Sequence, residues 1–95
     1  MRIADILWLK EIIEKLAWKH GVTVDEVEEV IWNRPHFRFV TKGQRNREED
    51  LYVAHGQTYA GRYLSVFFIY KDDNTALIIS ARNMDDKERK LYGRR

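Results

Sequence analysis

Leu9, Ile12, Ile13, Leu16 and Ala17 recur at three- and four-residue spacing, with Lys10, Glu11, Glu14 and Lys15 between them. That period predicts an amphipathic first helix. Lys19 and His20 precede Gly21, where positive charge suits the end of a helix and glycine its left-handed cap. Thr23-Val24-Asp25-Glu26 then reads as a capping box opening a second helix, with Val24, Val27, Val30 and Ile31 as its buried stripe. Asn33-Arg34-Pro35 stops it, because the residue before proline avoids helical geometry. Periodicity does not decide whether Arg2 to Trp8 is a first strand or an extra helical turn.

Beyond Pro35 the period changes. His36-Phe37-Arg38-Phe39-Val40 alternates as a strand does, and a polar loop runs from Lys42 to Asp50. Leu51 to Thr58 predicts a second strand, Tyr59-Ala60-Gly61 a hairpin turn, and Arg62 to Tyr70 a third strand. Leu64, Val66, Phe67, Phe68 and Ile69 make that third strand apolar on both faces, as expected of a central one. Asp72-Asp73-Asn74 makes the next turn and Ala76 to Ala81 the last strand. A short helix follows, with Asp85 as N-cap, Glu88 as its box partner and Leu91 and Tyr92 facing inward. The expected class is α+β: two N-terminal helices, an antiparallel sheet of three to four strands and a short C-terminal helix.

With 95 residues the chain has room for one core, so a single domain spanning residues 1–95 is expected. Hydrophobic residues at 44% and charged residues at 34% exclude a disordered polar tract. No apolar run approaches the ~20 residues of a bilayer crossing. Charges inside the N-terminal apolar pattern (Asp5, Lys10, Glu11, Glu14) argue against a cleaved secretory signal. Cysteine is absent, which excludes disulfides, thiolate catalysis and Cys-based zinc sites.

A formal net charge of +2 does not by itself mark a nucleic-acid binder, but the distribution is uneven. Arg34, Arg38, Lys42, Arg45 and Arg47 follow one another with no acid between them, and Lys87, Arg89, Lys90, Arg94 and Arg95 crowd the C-terminus. Asp25, Glu26, Glu28 and Glu29 gather on the second helix. Segregation of this kind gives an electropositive face to a nearly neutral chain, although charge runs are also what any solvated face carries.

There is no Gly-rich phosphate loop, no nucleophile elbow and no histidine pair at metal spacing on one helix. His20, His36 and His55 sit in three different elements, so no metal site is predicted. The combination that stands out is Ile78-Ile79-Ser80-Ala81-Arg82 followed by Asp85, Glu88, Arg89 and Tyr92. A buried strand delivers Arg82 to its end, where a cation needs a solvent-facing reason. The next helix sets Arg89 and Tyr92 three residues apart on one side. Each residue also has a plain structural reading. Glu88 serves as capping-box partner, His20 as a helix-end residue, Tyr92 as a core aromatic and Arg62 as a flank of the hairpin turn. Trp8, Trp18 and Trp32 are core or partner-facing.

Lys19-His20-Gly21-Val22, Gly61-Arg62-Tyr63-Leu64 entering an apolar strand, Ile78-Ile79-Ser80-Ala81-Arg82, and Glu88-Arg89 with Tyr92 together resemble the BrnT family, in order and over nearly the whole chain. His55 and Gln57 depart from it, standing where many members carry an aliphatic residue and an arginine. The resemblance implies a RelE-like fold and a cytoplasmic endoribonuclease toxin of a type II toxin–antitoxin module. It implies cleavage without a metal or other cofactor, silencing by a cognate BrnA-like antitoxin, and contact with DNA only through that antitoxin. Such chemistry needs a base for the ribose 2′-hydroxyl, cations for the phosphorane and an acid for the leaving 5′-oxygen. Arg82 and Arg89 suit a phosphate clamp. On the same implication His20 is the best acid or base, with Lys19, Tyr92 and Glu88 as competitors, and Arg62, Arg38 and Lys42 bind RNA. Alanine at position 82 or 89 is expected to leave stability nearly unchanged. The alternative is a non-catalytic RNA- or protein-binding module of the same fold. A DNA-binding autoregulator lacks a recognisable helix-turn-helix.

Overall fold

The computed structural model describes residues 1–43 and 50–94. Much of the polar loop expected from Lys42 to Asp50, with Arg45 and Arg47, lies outside the described residues, as does Arg95. The elements are β1 (Asp5–Leu7), α1 (Lys10–Lys15) continued by a π-helical turn (Leu16–His20), α2 (Val24–Trp32), β2 (His36–Thr41), β3 (Leu51–Gln57), β4 (Tyr63–Tyr70), β5 (Thr75–Asn83) and α3 (Asp86–Gly93). One sheet orders them β1-β5-β4-β3-β2, which puts β4 in the centre as its two-sided apolar sequence requires.

Two expectations about the sheet need correction. It has five strands among the described residues and it is mixed, because β1 runs parallel to β5 with Asp5 opposite Thr75 and Leu7 opposite Leu77. Arg2 to Trp8 therefore holds a strand and not a helical turn. Three residues are too few for alternation to show, and the partner strand lies some seventy positions away.

The expected stripe of the first helix is also narrower than its period suggests. Leu16 is buried and Ile12 half-buried, whereas Leu9, Ile13 and Ala17 are exposed. Here α-helical bonding gives way after six residues to the wider π turn, so a phase of 3.6 residues is not kept. Gly21 then adopts φ +60°, the left-handed region open to glycine. The chain folds back so that the Val22 N–H donates to the Leu16 carbonyl at 3.0 Å, and Val22 enters the core.

The remaining helix signals hold. Thr23 and Glu26 form a reciprocal capping box on α2, and Asp85 and Glu88 form another on α3. Val27, Val30 and Ile31 are buried, with Val24 half-buried at the margin. Leu91 is exposed, not inward, while Tyr92 is half-buried edge-on against Tyr63. Trp8 is half-buried and donates to Glu28 at 3.0 Å, whereas Trp18 and Trp32 face outward.

α1 and α2 cover one face of the sheet, where Leu16, Val22, Val27, Val30 and Ile31 meet Ala54, Leu64, Val66, Phe68, Ala76, Ile78 and Ala81. Ile78 and Ala81 are three residues apart, and strict alternation would send them to opposite faces. The ladder shifts between them: Phe67 pairs with Ser80, but Phe68 pairs with Ile78. This bulge leaves Ile79 as the extra residue, returns Ala81 to the core and turns Ser80 and Arg82 to the other face.

The helices approach β3 closely at Gly56, where an added Cβ would lie 3.1 Å from both Pro35 Cβ and Val30 Cγ1. Gly56→Ala should therefore cost about 1–3 kcal/mol by overpacking. A lowered denaturant midpoint with an unchanged slope would show it, and parent stability would refute the close packing.

Candidate functional site

The sheet face away from α1 and α2 carries a row of polar side chains fixed by strand register. His36 of β2 pairs with His55 of β3, His55 with Ser65 of β4, and Ser65 with Arg82 of β5. Residues directly opposite in a ladder share a face, so all four project the same way. The next row on that face holds Arg38, Val53, Phe67 and Ser80. α3 lies over one end of this surface and adds Glu88, Arg89 and Tyr92.

Glu88 ties helix to sheet. Arg82 donates from Nη1 to Oε1 at 2.6 Å and from Nη2 to Oε2 at 3.0 Å, a two-pronged ion pair. The same carboxylate accepts the Asp85 N–H at 2.9 Å as capping-box partner. Burial raises the Glu88 pKa, but the bonds from Arg82, the Asp85 backbone and Ser65 outweigh it and hold the carboxyl below its ordinary range. The capping partner of α3 is thus also the carboxylate that holds Arg82. Arg82 also lies 5.3 Å from the centre of the Phe67 ring.

His55 is 3% exposed, with Nδ1 2.9 Å from Ser65 Oγ. Which of the two donates in this pair depends on the tautomer of the imidazole. Burial depresses the His55 pKa; Glu88 opposes this while Arg38, His36 and Arg82 reinforce it, and the net direction is down. Arg89 is exposed, its guanidinium 4.0 Å above the Tyr63 ring, with no ion pair among the described residues.

Of the residues expected from sequence, Arg82, Glu88, Arg89, Tyr92 and Arg38 come together here. Lys42 is exposed just past the end of β2. Lys19 and His20 lie elsewhere, at the end of the π turn that packs on the opposite, helix-covered face through Leu16. No hydrogen bond links the His20 imidazole to the Arg82 cluster.

Arg62 is built into the fold. Its guanidinium donates to the His20 and Gly21 carbonyls, to both Glu26 oxygens and to Asn83 Oδ1, at 2.8 to 3.2 Å. It thereby fastens the hairpin to the α1–α2 turn. Arg82→Ala would likewise leave Glu88, only 18% exposed, without its cation, so the expected indifference of stability to that change does not follow. His36, His55 and Ser65 were missed: each is a lone polar residue in a different strand, and only strand register joins them. No group of three or more His, Cys, Asp or Glu arranged to hold a metal occurs among the described residues.

The family model describing the ribonuclease toxin BrnT of type II toxin–antitoxin systems matches residues 10–88. A crystal structure of the Brucella abortus ribonuclease toxin BrnT aligns with a TM-score of 0.61 at 18% identity, covering 86% of this chain and 97% of that one. At that identity the likeness establishes the fold. No curated protein sequence matches the chain.

Two of the shifted groups of the site, His55 and Glu88, have acid lability of the same sign. His55 is depressed, so its stabilisation is complete above the unfolded value of about 6.5 and declines as pH falls toward the folded one. Glu88 is depressed, so its share is present above about 4.3 and lost as pH falls through its folded value. Melting temperature should fall in two stages on acidification, with Glu88→Gln flattening the lower stage. A melting profile indifferent to that substitution would count against the ion pair.

Proposed function

Because the chain belongs to the family of BrnT ribonuclease toxins of type II toxin–antitoxin systems, we propose that it is an endoribonuclease that cleaves RNA without a metal, at the sheet face holding Arg82, Glu88 and Arg89. The observation that carries this reading is the placement of two guanidinium groups beside aromatic rings on one polar face. Arg82 is held in orientation by Glu88, and Arg89 is exposed and without an ion pair among the described residues.

A phosphodiester drawn to this face meets Arg89 as its readier ligand. Arg82 offers the guanidinium protons that Glu88 does not take. Their charge stabilises the phosphorane formed when the ribose 2′-oxygen attacks phosphorus. Tyr63 and Tyr92 border the cations, where an unstacked base finds an aromatic surface. Arg38 and Lys42 extend positive charge along the β2 edge and attract the RNA backbone. The products are a 2′,3′-cyclic phosphate and a 5′-hydroxyl. A module that only binds RNA would use the same surface, and the product ends tell the two apart.

Purified protein should cleave RNA in EDTA and leave cyclic phosphate ends. Arg89→Ala should slow this on the order of a hundredfold with little change in melting temperature. His20→Gln and Lys19→Ala, on the far side of the sheet, should cleave at nearly the parent rate. Loss of cleavage on chelation, with recovery on adding a divalent ion, would overturn the metal-free reading.

A toxin of this family has an antitoxin partner, which we take to be BrnA-like. Trp18 at 78% exposure, Trp32 at 50% and Tyr59 at 71% are anchors for an arm that folds on docking. Co-expression with the neighbouring open reading frame should relieve growth arrest and yield a copurifying complex, weakened by Trp18→Ala. A neighbour that neither copurifies nor protects would refute the pairing.

A further inference from the structure

Arginines 82 and 89 stabilise charge but are poor proton carriers at neutral pH, since guanidinium pKa values exceed about 12. His20 lies on the other face. Of the three histidines, the two that remain stand side by side in the polar row, with His36 on the edge strand and His55 one strand inward. They are not equivalent. His55 is buried and committed through Nδ1 to Ser65. His36 is half-buried and has no hydrogen-bond partner on either ring nitrogen among the described residues. Its Nδ1 is the sole buried side-chain polar atom left unsatisfied among those residues. A buried nitrogen without a partner is a cost that a purely structural residue has no reason to keep.

We propose that His36 is the catalytic proton carrier of the RNA cleavage proposed above, with the hydrogen-bonded His55–Ser65 pair beside it in the same row. This rests on the ribonuclease reading of the same face. Neutral His36 takes the proton from the ribose 2′-hydroxyl through Nε2 as the 2′-oxygen forms its bond to phosphorus. The bond from phosphorus to the 5′-oxygen breaks, and the imidazolium returns the same proton to that oxygen. One proton is taken and one given, so the imidazole ends neutral and no co-reactant is needed.

The groups around His36 fit this cycle. Burial disfavours the charged form of His55, so the neighbouring imidazole is held away from a competing positive charge. Arg38, two residues along β2, and Arg82, across the row, are fixed cations, and Glu88 is the fixed anion of the same face. The ladder spacing of about 4.8 Å sets the His36 and Arg82 backbones roughly 14 Å apart.

The test is the pH dependence of kcat/KM for RNA cleavage in EDTA, measured for the parent, His36→Gln, His36→Ala, His55→Gln and Ser65→Ala. His36→Gln should lose about a hundredfold or more, together with the acidic limb of the parent profile. His36→Ala should regain part of its rate with added free imidazole, which a merely structural role would not permit. His55→Gln and Ser65→Ala should displace that limb without abolishing it. Melting temperatures identify any variant that fails to fold, and position 36, half-buried on an edge strand, carries two independent substitutions. An active parent whose His36 variants keep the parent rate and profile overturns this inference alone. A parent inert toward RNA overturns both it and the ribonuclease reading.

Discussion

The bulge that interrupts the β4–β5 ladder, with Phe67 opposite Ser80 but Phe68 opposite Ile78, settles what each side of the sheet becomes. Without the extra residue, Ala81 would face α3 and Arg82 would point into the apolar layer beneath α1 and α2. A guanidinium there would have no partner, and burial of an unpaired charge costs far more than the hydrophobic gain of a single strand. The shift lets β5 contribute Ile78 and Ala81 to the core and still present Arg82 beside Ser65 and Glu88. Core and candidate site therefore depend on the same irregularity, which is why a strand so apolar in sequence can end in a partly exposed cation.

Two arginine–glutamate pairs show how similar chemistry serves different ends. Arg62 reaches from the hairpin to Glu26 and also to the carbonyls of His20 and Gly21 and to Asn83, so four separate points of the chain are joined through one side chain. Its donors are directed into the protein. Arg82 gives both terminal nitrogens to Glu88, but its remaining contacts are the adjoining Asn83 carbonyl and the Phe67 ring, and it stays partly open to solvent. What separates a fastening arginine from one that can meet a substrate is how many directions its donors already serve.

Local signals in the sequence were read well because local physics decides them. The capping boxes at Thr23 and Asp85, the turn at Gly21, the stop at Pro35 and the central position of β4 each follow from neighbours within a few residues. β1 was undecidable because three residues cannot show a period and its partner is β5. The phase of Ala17 is set by a π turn, which hydrophobic spacing alone does not reveal. For the site, Arg82, Glu88, Arg89 and Tyr92 were legible because one strand end and one helix hold them. His36, His55 and Ser65 were not, because their meeting depends on the registers of two antiparallel ladders, and a one-residue slip in either would scatter them to opposite faces.

That dependence also explains why the polar row lies next to the strongest hydrophobic layer of the protein. Ser65 is flanked in β4 by Leu64 and Val66, both fully buried in the opposite face, and His55 by Ala54 and Gly56. The apolar alternation locks the register, and the locked register places the polar side chains. The His55–Ser65 and Arg82–Glu88 bonds then satisfy groups that would otherwise be buried unpaired, so the row is consistent with the core it backs onto. His36 stands at the end of that line, on the edge strand, where satisfaction within the protein stops and an outside partner is needed.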